Sequence, residues 1–570
     1  MTESSASKEA ITIVQQGWTH LQAQRPLAAW ASWQRALRII PEFPQALDAL
    51  SRLETALDLP MAARAERRFL APDDPIKRSV WDARIQGRNL QALESAADLF
   101  ASLSVDDPED AAAWTNRGLC MAWLGHNLEA ISCLNRVVQI LASSAPDQAV
   151  EAWSLAEILR LGGGAEPLAD DLRYAWVIPW SHDQRSRLLA SNNTLQAIKQ
   201  PGALLGGTGL GSETQIYEWL DRPMPVPTPS LQYHEVPRHL ATAIDSGDTL
   251  RLSSPDPLAL EQILEPLQTA LATPDQSIQR EVSPLPIALA DAGVWGFRYP
   301  DGLDEETRNR ITREGVEQYF ENFWIHRPRH GLNDLTPLQA SRAVRQGDPV
   351  AHVQLAAVVR IREQFAARPK TAALYQGYPF DRLRRRLGLG LDDPEAVDPA
   401  DASCMSEEEL DQLDLSQLSG SPLVEAYHSA AALGVDERTA RFAARIVESH
   451  DQVPAGTLTP NLFAVLVREA LRQNRRGEAF DWMNQGKQLC PTDDRRRFDL
   501  WQAELHTRSH APDVALEIYT KLLEDQSLTR DQTLAAIEDL EQEGFLDHAE
   551  RLRNQSEVRT PDTSQGSKDR

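Results

Sequence analysis

The chain holds few residues whose type and spacing could do chemistry, and each candidate set lacks a member. His326 and His330 stand four apart, a spacing that puts two imidazoles on one helix face for a metal. Pro328 lies between them, and no carboxylate follows on that face. His234-Glu235 opens like HExxH, but Arg238 takes the place of the second His and His239 comes one residue late, with Pro237 opposing a helix. Gly202, Gly206, Gly207, Gly209 and Gly211 suggest a phosphate loop. No Lys follows them, and Ser212 stands where GxGxxG needs its last glycine, so the stretch reads as a flexible joint. The four cysteines, Cys120, Cys133, Cys404 and Cys490, form no CxxC and fit a reducing compartment. Cys120 and Cys133 read as small buried apolar residues. No Ser sits in a GxSxG elbow. The acidic pairs Asp170-Asp171 and Asp392-Asp393 read as solvated surface. The expectation is no catalytic set, no cofactor and no metal.

What the residues do specify is spacing between helices. Ala29, Ala63, Ala96 and Ala130 are separated by 34, 33 and 34 residues. A small residue at that period marks stacked helical hairpins whose helices approach too closely for a larger side chain. Pro41, Pro75 and Pro108 fall twelve residues after the first three alanines and end each hairpin, since proline cannot continue a helix. Trp33, Arg67, Phe100 and Leu134 lie four residues on, and Ala36, Leu70, Leu103 and Val137 seven residues on, all on one helix face. Sixteen residues before the alanines, Ile13, Leu47, Val80 and Trp114 are expected as apolar anchors of the first helices. Gly17, Ser51 and Gly118, twelve before, are small enough for the paired helix to close in. The third unit carries Arg84 there and a one-residue deletion.

This register resembles the tetratricopeptide repeat family. Trp114, Gly118, Gly125, Ala130, Leu134 and Val137 match it best, and Asp106-Asp107-Pro108-Glu109-Asp110-Ala111 is similar to its inter-repeat turn. The resemblance covers about residues 10 to 165, and again about 460 to 552, where Ala479, Ala515 and Ala549 recur at 36 and 34 with Met483 and Tyr519 four residues on. It implies an α-solenoid whose first helices line a groove. In the fourth unit the family's groove positions fall on Thr115, Leu119, Ala122 and Trp123, expected to grip a peptide or to pack on the next hairpin.

Between the repeats the pattern changes. Asp170 to Trp180 is aromatic-rich and is expected to cap the open end of the stack. Pro223 to Pro229 reinforces a boundary. Thr249 to Leu252, Pro286 to Ala290 and Val294 to Tyr299 read as strands, and Leu260, Ile263, Leu264, Leu267 and Leu271 as one face of a helix. Glu314 to Trp324 reads as a helix with Val316, Tyr319, Phe320 and Phe323 on one face. Thr336 and Pro337 then start another helix as N-cap and first residue. The string Phe320 to Ala340 resembles the toxin-binding domain of Xre/MbcA/ParS-type antitoxins, with Asn333 and Asp334 where that family usually has glycine. The resemblance implies that Trp324, Leu332 and Pro337 serve partner binding.

Lys plus Arg number 58 and Asp plus Glu 83, a formal charge of −25. An acidic surface repels phosphate backbones and anionic membranes. The basic run Arg382-Leu383-Arg384-Arg385-Arg386 reads as a solvated helix face. Residues 391–421, rich in Asp, Glu and Ser, read as a disordered linker, in which Leu410, Leu413 and Leu418 form either a spacer or a short docking helix. No apolar run approaches the roughly 20 residues that cross a bilayer, and Met1 to Ala10 lacks the apolar core of a signal peptide.

The sequence therefore leads to a mainly α protein with tetratricopeptide-like solenoid segments at both ends and a small mixed α/β insert in the middle. The expected divisions are a leader (1–10), repeats with a cap (11–180), a Gly/Pro linker (181–229), the insert (230–300), a helical module (301–390), the acidic linker (391–421), degenerate repeats (422–555) and a tail (556–570). The repeat-packing residues are Ala29, Ala63, Ala96, Gly118, Ala130, Ala479 and Ala515. The expected function is a non-catalytic cytoplasmic scaffold for proteins or peptides, with no nucleic-acid or membrane partner. A toxin-neutralising or regulatory protein acting through 320–367 is the alternative, and an enzyme within 230–300 a third reading.

Overall fold

A computed structural model describes residues 3–23, 25–55, 69–90, 92–161, 172–191, 193–198, 214–271, 278–284, 296–367, 369–434, 436–525 and 527–557. Ala63, Arg67, the glycines of 202–211, Asp170-Asp171, Pro286 to Ala290 and the tail from Val558 lie outside these residues. The chain is mainly α, with helical hairpins toward both ends and a small antiparallel sheet between them. It divides into two compact units, Met1–Val397 and Asp398–Arg570.

The first unit begins with α1 (Glu3–Gln22), α2 (Pro26–Ile39), α3 (Pro44–Thr55), α4 (Pro75–Ile85), α5 (Leu93–Asp106), α6 (Ala111–Leu124), α7 (Asn127–Leu141) and α8 (Pro146–Leu161). Ala29, Ala96 and Ala130 are buried on α2, α5 and α7, the second helices of their hairpins. Gly118 is needed for closeness: a Cβ there would stand 3.3 Å from Cys133 Cβ and Leu134 Cγ. Gly17 is needed more, since its Cβ would fall 2.1 Å from Trp33 Nε1. Of the expected anchors Ile13 is buried, whereas Leu47 is 46% exposed and Val80 51%. Leu70 is also exposed, and Pro44 rather than Pro41 opens α3.

The sheet starts earlier than expected. Leu172–Pro179 is its strand β1, not a cap on the repeats. With β2 (Leu195–Ala197), β3 (Gln215–Leu220), β4 (His239–Asp245), β5 (Thr249–Ser254) and β6 (Gln279–Pro284) it forms an antiparallel sheet in the order β2-β3-β4-β5-β1-β6. Alternation sends Trp176, Ile178, Tyr217, Trp219, Ala241, Ala243, Leu250 and Leu252 into one core. Leu188 of α9 (His182–Ser191) and Leu260, Ile263 and Leu267 of α10 (Pro257–Leu271) close that core. Pro223 to Pro229 connects β3 to its antiparallel neighbour β4, so it lies within the sheet's chain path and marks no boundary. Residues 296–299 add only a bridge from Phe297 to Arg238.

The stack is covered instead by the helical module. It comprises α11 (Glu305–Gln318), α12 (Pro337–Arg345), α13 (Pro349–Ala366), α14 (Pro369–Tyr375) and α15 (Phe380–Arg386), and α13 packs along α8. Gly331 permits this approach, because a Cβ there would come within 2.8 Å of Trp153 and Glu157. Tyr319–Phe323 is a π-helical turn. Its wider turn breaks the 3.6-residue register, so Trp324 is buried and Phe323, expected on the inner face, is 55% exposed.

The second unit carries α16 (Glu407–Gln412), α17 (Gly420–Ala432), α18 (Asp436–Glu448), α19 (Pro460–Arg472), α20 (Arg476–Leu489), α21 (Arg495–Arg508), α22 (Pro512–Glu524), α23 (Arg530–Gln542) and α24 (Leu546–Glu557). From α17 to α22 each helix packs against the next, and the last hairpin, α23–α24, packs on α21 and α22, giving four stacked hairpins among the described residues. Ala479, Ala515 and Ala549 are buried on α20, α22 and α24, with Met483 and Tyr519 buried four residues on. In the hairpin before these, Gly434 makes the left-handed turn, so buried Thr439 on α18 stands at the ladder position and buried Ala443 four residues on, where the later hairpins have Met483 and Tyr519. Residues 398–421 are an ordered part of this unit. Ala402, Cys404, Met405 and Leu410 are buried, because short apolar side chains between the acids reach the first hairpin.

Candidate functional site

Four of the described hairpin turns share one backbone position. Five residues before Ala130, Ala479, Ala515 and Ala549 the chain turns left-handed: Gly125 has φ 87°, Asn474 58°, His510 56° and Gly544 85°. This ends the first helix and reverses the chain, so equivalent residues of successive first helices fall on one surface. Residues 18, 15 and 11 before the alanine are Ile11, Val14 and Trp18 on α1 and Gln45, Asp48 and Arg52 on α3. These six and Gln15 line a hollow of about 450 Å³. One wall is apolar and the other polar. Trp18 is half-buried, its ring centroid 5.0 Å from that of Trp33, whose Nε1 donates to Val14 O at 3.2 Å. Arg52 bridges the walls, its guanidinium carbon 5.9 Å from the Trp18 centroid and its Nε 3.0 Å from Asp48 Oδ2. Both ends of that ion pair are largely exposed, so it contributes little to stability and exchanges readily with other charges.

The groove positions read from the fourth unit are not a surface. Leu119, Ala122 and Trp123 are buried, and Thr115 is half-buried with its hydroxyl donating to Ala111 O at 2.8 Å. Helix α2 packs against α6, Trp30 stacks on Trp123 with centroids 6.2 Å apart, and Phe69 meets the same indole edge-on at 5.6 Å. The packing reading of Trp123 is the one that holds. Four of the groove residues of the first two units, Val14, Trp18, Asp48 and Arg52, were reachable from sequence by applying the offsets of Thr115 and Leu119 to Ala29 and Ala63.

Trp324, Leu332 and Pro337 are buried as well. The guanidinium carbons of Arg362 and Arg329 lie 4.8 and 5.4 Å from the Trp324 centroid, a doubly capped indole. Phe320 stacks on Tyr375 and Tyr378 at 6.2 and 5.2 Å. The basic run beside them is no solvated face: Arg384, Arg385 and Arg386 are buried. Arg382 Nε and Nη2 donate to Glu321 Oε1 and Oε2 at 2.7 and 3.0 Å, and Arg384 Nε and Nη2 to Glu363 at 2.6 and 2.9 Å. Bidentate pairs of this kind fix orientation; here they bind α15 to the end of α11 and to α13. Glu321 and Glu363, far away in sequence, were the missing partners.

The other candidates for chemistry fall apart in space. His326 and His330 sit in separate 3₁₀ turns, and His330 Nδ1 faces Asp334 Oδ1 at 2.5 Å. Glu235 closes a capping box, accepting from Gln232 N at 2.8 Å. All four cysteines are buried. Burial pushes the Cys120 thiol up to about 12 and Cys490 up to about 11, leaving little thiolate to act as nucleophile. Among the described residues no group of three or more His, Cys, Asp or Glu could hold a metal, and no helix is long and apolar enough to cross a membrane.

No family model matches the chain, and no curated protein gives a significant match. Among solved structures, the structure of Naa15/Naa10 bound to HypK-THB matches at 13% identity and a TM-score of 0.18, over 96% of this chain and 78% of that one. A likeness of that strength carries no argument. The class rests on the geometry already described: a mainly α protein of stacked helical hairpins with an inserted antiparallel sheet.

Proposed function

We infer that the protein is a non-catalytic scaffold that holds other proteins through its helical repeats. The observation that carries this reading is the α1–α3 hollow, where equivalent positions of two first helices present an apolar wall opposite a polar one. An extended segment sends alternate side chains to opposite sides. It would place an apolar side chain against Ile11, Val14 and Trp18 and polar ones against Gln45, Asp48 and Arg52. Protein or peptide partners in the cytoplasm, without nucleic acid, membrane, cofactor or metal, complete the proposal. The test uses the full chain with Ile11→Asp and Asp48→Lys, two exposed changes that leave the core intact. Proteins recovered with the wild type and quantified by mass spectrometry should fall at least tenfold with the double variant. An unchanged set would reject this groove as the docking site.

A second reading, toxin neutralisation through residues 320–367, is favoured by one observation. Asn333 and Asp334, which stand where the resembling family has glycine, both adopt left-handed φ values of 56° and 61°, so the backbone turn has the form glycine would give. The exposed large apolar residues near it are Phe323 and Leu335. Phe323→Asp should abolish a partner held there and leave one held at α1–α3 in place.

A further inference from the structure

Helix α18 carries Arg438, Arg441 and Arg445 on one face, and all three reach the segment just before the hairpin. Arg438 Nε and Nη2 donate to Asp411 Oδ1 and Oδ2 at 2.6 and 2.7 Å, with Nη1 3.9 Å from Glu407 Oε1. Arg441 Nη2 donates to Leu410 O at 2.9 Å, and Arg445 Nε to Leu415 O at 3.1 Å. The segment is strongly acidic, with Glu407, Glu408, Glu409, Asp411 and Asp414 within eight residues, and no Lys or Arg occurs from Leu387 to Glu437. From 410 to 420 only Leu410 is fully buried. Within the strap, residues 407–415, Glu407 and Leu410 are buried, and a row of guanidinium bonds fastens it, a contact that salt and competing anions weaken. A cleft of about 510 Å³ adjoins its seat: Arg438 and Arg441 line both, and the cleft runs on over Ala440, Ala444, Leu466 and Ala470 to Trp482, with Glu437, Glu469 and Glu478 also lining it, Glu469 paired to Arg472 and Glu478 to Arg475.

We propose that this arginine row is a docking site for an acidic, leucine-bearing helical segment of a partner protein, and that residues 407–415 occupy it in cis as a built-in competitor. Charge complementarity selects the occupant, and the strap supplies its pattern: a carboxylate on Arg438, backbone carbonyls on Arg441 and Arg445, and one leucine beneath. A partner segment longer than the strap gains the adjoining cleft. The inference rests on the scaffold reading but on a different surface, so its failure leaves the α1–α3 groove untouched.

The test titrates a fluorescein-labelled peptide of residues 404–418 into the full chain at 50 mM salt. Expected is weak binding to the wild type, binding at least tenfold tighter with Leu410→Ser and Asp411→Asn, and an intermediate gain with Asp411→Asn alone. Adding Arg441→Ala and Arg445→Ala should remove the gain, and 300 mM salt should weaken it. Unchanged far-UV helicity establishes that each variant is folded. Equal binding by wild type and loosened chain, no gain in a folded loosened chain, or binding that survives loss of the arginines would each overturn the proposal. Dimerisation of the loosened chain in sedimentation would assign the seat to a second copy and overturn it equally.

Discussion

The hairpins toward the two ends of the chain reach the same close helix contact with opposite placements of glycine. In the first stack Gly17 lies on a first helix and receives Trp33 from the second helix of its own hairpin. In the second stack Gly486 lies on a second helix, where a Cβ would stand 2.3 Å from a ring carbon of Phe498 on the first helix of the next hairpin. One aromatic locks a hairpin within itself, and the other locks neighbouring hairpins together. Repeat proteins draw their stability from both terms, and the two glycines of this chain serve one term each.

The largest effects should come from removing the two rings. Trp33→Ala and Phe498→Ala should each cost about 3–5 kcal/mol. Hydrogen exchange should separate them, with protection lost chiefly in α1 and α2 for Trp33→Ala, and in both α19–α20 and α21–α22 for Phe498→Ala. Loss confined to α21–α22 would show that Phe498 does not couple neighbours. Gly17→Ala and Gly486→Ala push a methyl into those rings and should cost roughly 1–3 kcal/mol in chemical unfolding. A smaller effect has the other sign. Asn474 holds a left-handed φ that Gly544 holds at the equivalent place without a Cβ, so Asn474→Gly should gain up to about 1 kcal/mol.

The smallest effect is a pH dependence in the second unit. Burial, helped by Asp539 and opposed by Arg508, raises the Glu504 carboxyl above its ordinary range. A carboxyl raised in the folded state favours folding in its neutral form. Its contribution is fully present below the unfolded carboxylate value and is lost as pH rises through the folded one. Glu504→Gln should flatten the decline in stability from acid toward neutral pH, and an identical slope in wild type and variant would reject Glu504 as its source.

The repeat ladder was legible because it is local: a small residue, an αL turn five positions earlier and a fixed period lie along one strip of sequence. The first hairpin of the second stack was missed because Thr439, not an alanine, takes the ladder position five residues after Gly434. Strand β1 was taken for a cap because Tyr174 to Trp180 carries no signal for its partners, which are β5 and β6, tens of residues later. The arginines of 382–386 looked solvated because Glu321 and Glu363 become their partners only when α15 folds back on α11 and α13. Phe323 pointed outward because a π turn changed the register, a device no 3.6-residue pattern reveals. The fourth-unit groove failed for the same non-local reason: α2 packs on α6.

The measurement that tests the central claim most directly is equilibrium unfolding of Ala130→Leu beside Ala431→Leu. Ala130 is wholly buried between α6 and α7, and Ala431 is exposed on α17. Close contact at the ladder positions predicts a loss of roughly 1–3 kcal/mol for Ala130→Leu and no measurable loss for Ala431→Leu. Equal stability of the two variants would contradict the account.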